Sequence, residues 1–207
     1  MPYQEFQALT QQPSPGFVCR PAGRSRESER FTARLTHEVR SPASPADLAH
    51  LRQLIPAGAD ELLAFYSRHD GFVLYRDTLS DTAGVELFRV ADMEQQTESM
   101  REGLDMLDDE SDTNRLKTAI AIGESPQSGN YFAMTVEGPQ TGKVFFVDHD
   151  DWREESFADS FDQFLTLVST APATLLSETL GCIARYSDGH TDSQWIPIEF
   201  LPNVSPE

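Results

Sequence analysis

The chain has 207 residues and a mass of 23.1 kDa, with 34 Asp and Glu against 16 Lys and Arg, for a formal charge of −18 and a pI near 4.5. That balance argues against a nucleic-acid binder, whose footprint is basic, and against binding to an anionic membrane surface. Leu, Ile, Val and Phe supply 48 of the 207 residues, enough for one packed domain.

Residues 1–43 read as an extended N-terminal arm, punctuated by Pro2, Pro13, Pro15, Pro21 and Pro42. Within it, Phe31, Leu35 and Val39 recur every four residues and predict a short helix. Through residue 45 the segment holds six Arg and four acids, a net of +2, whereas the other 162 residues carry 10 basic and 30 acidic groups, a net of −20. This arm is expected to fold back on its own acidic domain. An ordered domain over 44–170 opens with Ser44-Pro45-Ala46-Asp47, a capping box with proline at the first helical position. Leu48, Leu51, Leu54 and Ile55 follow at helical spacing until Pro56, and a second helix over Asp60–His69 stops at Asp70-Gly71, a glycine suited to a left-handed cap.

Strands are predicted over Phe72–Tyr75 and Val85–Val90, around a Ser80-Asp81-Thr82 turn, and a helix over Ala91–Leu107. Three further strands are expected over Thr118–Gly123, Asn130–Val136 and Lys143–Asp148, the last two joined by a hairpin-like Gly138–Gly142 connector. Ser156-Phe157-Ala158-Asp159 repeats the capping pattern ahead of Phe157, Phe161, Phe164, Leu165 and Val168, an amphipathic helix. Residues 171–207 are expected to pack on the same domain as a helix (Leu175, Leu176, Thr179, Leu180, Ile183) and a strand, Trp195–Phe200, which Pro197 confines to a sheet edge. The sum is an α+β domain with a mostly antiparallel sheet of five to six strands flanked by helices, an N-terminal arm and a C-terminal helix-strand extension.

The order of these pieces resembles the SUKH superfamily, which contains fungal regulators of cell-wall synthesis and many bacterial immunity proteins against polymorphic toxins. The resemblance rests on Leu54-Ile55-Pro56, Glu61 to Tyr66 and Asp70-Gly71, then Gly84 to Phe88, Ala91-Asp92-Met93, Ile120 to Gly123, Ser128 to Phe132, and Phe157 to Leu165 as the final helix. It covers about residues 47 to 168 and implies a single α+β domain without catalysis; it names no partner. Members often carry an acid where this chain has Asn130, which weakens any shared charged site there.

Chemistry-bearing patterns are sparse. The chain lacks Gly-x-Ser-x-Gly, and Gly138–Gly142 lacks the Lys-Ser or Lys-Thr of a phosphate loop. Cys19 and Cys182 stand 163 positions apart, a spacing that suits neither metal nor redox work, and Cys182 reads as a small buried hydrophobe. Asp148-His149-Asp150-Asp151 offers metal-ligating side chains, but successive residues of an extended segment point to opposite faces, and Asp and His are ordinary loop residues. No cofactor is expected. The first twenty residues contain no apolar signal core and no stretch reaches 18 apolar residues, so a cytoplasmic protein is expected.

Two acidic clusters stand out as candidate partner-binding surfaces. One is Asp105, Asp108, Asp109, Glu110 and Asp112; the other is Asp150, Asp151, Glu154 and Glu155, beside Asp148 and with Trp152 among the charges. Each is either a solvated face or a surface that meets Arg and Lys of a basic protein, a cognate toxin domain being the immunity-type case. Trp152 is either the desolvated anchor of such a surface or a residue packed on the sheet. The alternatives are an intracellular scaffold or regulator with an endogenous partner, and a metal-dependent enzyme using Asp148–Asp151.

Overall fold

The computed structural model describes residues 2–23, 28–55, 60–80, 84–105, 113–125, 128–150, 154–177, 182–190 and 193–205. Among them, helices span α1 Pro2–Thr10, α2 Pro45–Leu54, α3 Asp60–Tyr66, α4 Val90–Asp105, α5 Phe161–Thr170 and α6 Pro172–Leu175. Strands span β1 Gly16–Pro21, β2 Phe31–Val39, β3 Phe72–Asp77, β4 Val85–Leu87, β5 Ala119–Ser125, β6 Asn130–Thr135, β7 Val144–Val147, β8 Glu154–Ala158 and β9 Trp195–Leu201. They form one sheet in the order β8-β7-β6-β5-β4-β3-β2-β1-β9. Strands β1 to β8 follow one another as an antiparallel meander, and β9 returns to pair antiparallel with β1.

The α+β class stands, but the sheet has nine strands rather than five or six. The added strands are β1, β2 and β8. Residues 1–43 are therefore no arm: they give α1, β1 and β2, and Phe6, Leu9, Phe17, Cys19, Ala33 and Leu35 enter the core. Phe31–Val39 is a strand because the residues between the apolar ones also alternate. Ala33 and Leu35 are buried and Phe31, His37 and Val39 half-buried, while Thr32, Arg34, Thr36 and Glu38 are exposed.

The first helical start behaves as its sequence predicts. Ser44 caps α2, its Oγ accepting from the Asp47 N–H at 3.1 Å, while the Asp47 carboxylate accepts from the Ser44 N–H at 3.2 Å. The later start lies at Ser160, not Ser156. Ser160 Oγ accepts from Gln163 N–H, and residues 154–158 pair with β7, so Phe157 belongs to a strand. Gly71 does take a left-handed φ of +82°, but it stands beyond α3. A Cβ there would lie 2.3 Å from the Leu87 carbonyl oxygen, so glycine serves the close approach of β4. Helix α6 ends at Leu175; Ile183 lies in an irregular segment, and Thr179 and Leu180 fall outside the described residues, as do Pro56 and Asp81-Thr82. Pro197 lies on β9, an edge strand as expected.

Helices α1, α3 and α5 cover one sheet face through an aromatic layer. Phe72 of β3 meets Phe6 and Phe65, Phe65 meets Phe161, and Phe132 of β6 meets Phe164, with ring centroids 5.2–5.9 Å apart. Helix α4 takes up a ladder position that the short β4 leaves open. Beyond Glu86 and Leu87, which pair with β5, the Ala121 N–H donates to buried Thr97 Oγ1 at 3.0 Å and Arg101 donates to the Ala119 carbonyl at 3.1 Å. Tyr75 ties the layers together. At φ +60° its N–H donates to His37 Nδ1, its hydroxyl to the Val168 carbonyl of α5, and its own carbonyl accepts from the Tyr186 hydroxyl.

Candidate protein-binding surface

Alternate register rows of a sheet point to opposite faces. Val39, Phe72, Leu87, Gly123, Phe132 and Phe146 form one row across β2–β7, on the helix side. The neighbouring row runs Glu38, Val73, Glu86, Glu124, Tyr131 and Val147, with Glu154 of β8 at the next register position. Glu86 of β4 and Glu124 of β5 thus stand side by side on the face away from α1, α3 and α5, with Glu38 of β2 in the same row beyond Val73.

Their partners differ. Glu86 is held by Arg40, whose Nη2 lies 2.5 Å from its Oε1 while Nη1 donates to the Leu87 carbonyl at 2.9 Å. Glu38 lies 3.7 Å from Arg40 and 3.6 Å from Arg76. Glu124 has no cation among the described residues. It is half-buried directly opposite Glu86, and burial followed by the Glu86 charge pushes its carboxyl pKa up. Like charges in directly opposed positions destabilise a sheet. Tyr131, on its other side, has its phenol pKa raised by burial and by Glu124.

Of the sequence-predicted cluster residues, Asp150 is described in full; it is exposed beside His149. Asp108, Asp109, Glu110, Asp112, Asp151 and Trp152 fall outside the described residues. Asp105 ends α4, and Glu154 and Glu155 lie in β8 opposite Val147 and Phe146. Glu154 therefore continues the carboxylate row onto β8, whereas Glu155, opposite Phe146, stands at a helix-side register position.

At the strand end the polar groups serve turn geometry. Asn130 Oδ1 accepts from the His149 N–H at 3.0 Å and lies 2.7 Å from His149 Nδ1; His149 Nε2 lies 3.2 Å from Asp150, and Asp148 Oδ1 accepts from the Asp150 N–H at 3.0 Å. Asn130, the position where the resemblance leads one to expect an acid, is here the acceptor that orients His149. Gly129 makes room for that ring, since a Cβ would lie 3.0 Å from it. Among the described residues, no three His, Cys, Asp or Glu side chains converge as metal ligands. Both cysteines are buried and neither is in a disulfide, and burial pushes the Cys19 thiol up to about 12. No described helix is long and apolar enough to cross a membrane.

The sequence singled out acids that are neighbours along the chain. It missed Glu38, Glu86 and Glu124, which only strand register assembles; of the three, Glu86 alone lay in a predicted strand, while Glu38 fell in the segment read as a helix and Glu124 just past the end of Thr118–Gly123.

No curated protein matches the chain. The model of a family described as SMI1-KNR4 cell-wall matches residues 61–165, from α3 into α5, or 105 of the 207 residues. The chain belongs to this family of the SUKH superfamily.

Proposed function

We propose that the chain is a non-enzymatic protein-binding domain that takes a basic protein on the carboxylate row of its sheet, most simply as an immunity-type protein that sequesters a toxin domain. The observation that carries this reading is Glu124, a half-buried carboxylate set against Glu86 without a cation of its own among the described residues. An arginine or lysine of a partner relieves that repulsion, so the complex gains an interaction that the free protein lacks. Glu154 continues the row onto β8, and the net charge of −18 steers a cationic partner toward it. Family membership supports a binding role of this kind. The cell-wall description of the family favours a second reading, a regulatory domain with an endogenous partner.

The test is capture from lysate at about 50 and 300 mM salt, a range across which screening weakens surface charge pairs, followed by measured affinities of the identified partner. Glu124→Lys and Glu38→Lys are expected to weaken binding and flatten its salt dependence. Unchanged affinity in both variants would sink the sheet-row mechanism. Co-expression with the partner separates the two readings: an immunity protein rescues cells from a toxic partner, and a regulator has no toxicity to relieve.

A further inference from the structure

A recess of about 430 Å³ is walled by α1, the end of β2 and the residues that follow α3. In a chain with twice as many acids as bases, no Asp or Glu among the described residues lines it. Its walls include Arg68, His37, His69 and the amides of Gln7 and Gln11. The Arg68 guanidinium is exposed and rests over the Tyr3 ring, 4.4 Å from its centroid; no carboxylate pairs with it among the described residues. His37 Nδ1 accepts from the Tyr75 N–H, so the neutral ring carries its proton on Nε2, and that N–H is buried without an acceptor among the described residues. His69 sits between Tyr3 and the Arg40 carbonyl, its Nε2 2.7 Å from the Tyr3 hydroxyl.

We infer that this recess binds a small oxyanion, a phosphate or carboxylate group held by the Arg68 guanidinium and the neighbouring N–H donors. A guanidinium without a carboxylate partner among the described residues presents a fork suited to two oxygens, and the orphaned imidazole N–H of His37, which lines the same recess, calls for an acceptor. Arg40, which also lines the recess, is tied up with Glu86 and Glu38 of the carboxylate row, but the recess takes the opposite charge, so the inference stands whether or not the proposed protein partner exists.

The experiment titrates the full chain with inorganic phosphate and, separately, with acetate at constant ionic strength, following backbone and imidazole signals by NMR. Saturable shifts confined to Gln7, Gln11, His37, Arg68 and His69 are expected, and the anion that binds tighter identifies phosphorylated or carboxylate ligands as the source. Arg68→Ala, an exposed substitution that leaves the core intact, is expected to weaken binding about tenfold, the loss typical of one charge-assisted contact. If neither anion gives saturable shifts, or Arg68→Ala leaves them unchanged, the buried His37 donor is satisfied by water alone and the inference is overturned.

Discussion

Glu124 and His37 are both titratable groups held away from their ordinary behaviour, with opposite consequences for pH. The Glu124 carboxyl has a raised pKa, first from burial and then from Glu86, so its contribution to stability is present below its unfolded value and is lost as pH rises through the folded one. Glu124→Gln is therefore expected to stabilise the free protein at pH 7 by about 0.2–1 kcal/mol, the size of a cross-strand like-charge term, and to leave stability unchanged at low pH. The same substitution is expected to weaken the proposed complex; urea unfolding and partner affinity measured on one preparation check both. For His37, burial lowers the pKa from 6.5 to about 4, so its contribution is present above 6.5 and is lost as pH falls toward 4. That loss is on the order of 3 kcal/mol at most, and its cause is local, because a proton on Nδ1 removes the acceptor of the Tyr75 N–H. An imidazole NMR titration of His37 should have its midpoint near 4; a midpoint at 6.5 or above would show that the ring is not held neutral.

Elements that carry their own start and stop chemistry were legible from the sequence, and those defined by pairing were not. The capping box of α2 is written in four consecutive residues, and Ser44→Ala is expected to cost about 1 kcal/mol, as N-caps do. In contrast, a four-residue spacing of Phe31, Leu35 and Val39 satisfies a helix loosely and a strand fully, since four is twice the strand period. Phe157 matched the stripe of the following helix, yet β7 had a free edge, and pairing there moved the helix start to the Ser160 cap. The carboxylate row was hidden for the same reason: its members lie about forty residues apart, and only the register of β2–β5 makes them neighbours. Thr97 shows how far pairing reaches beyond strands, since this helical hydroxyl fills a place in the β5 ladder. Thr97→Val keeps the shape and removes the acceptor, leaving the Ala121 N–H unpaired in the interior. A loss of about 1–3 kcal/mol is expected in chemical denaturation, more than Ser44→Ala costs, because the Ser44 cap is exposed and water can replace it.

At the scale of the whole molecule, the family match begins at residue 61, but the sheet does not begin there. Strands β1 and β2 lie between β3 and β9, so the last strand of the chain joins the sheet only through the segment read as an arm. Its residues are also core residues. Phe6 packs on Phe65 and Phe72, Phe17 on Tyr75, Tyr186 and Phe200, and His37 supplies the acceptor for the strained Tyr75 backbone. A chain starting at Ser44 would lose all of these, expose the ladder edges of β3 and β9, and uncover the aromatic layer beneath α1. A peripheral arm would leave the melting temperature nearly unchanged on truncation. A chain built this way is instead expected to lose its cooperative thermal transition. Full-length Phe6→Ala provides the graded comparison: it removes one buried ring from the same layer and should cost about 3–5 kcal/mol while keeping a single transition. If the truncated chain melted cooperatively within a few degrees of the full chain, β3 to β8 would be a self-sufficient unit and the first 43 residues an accessory to it.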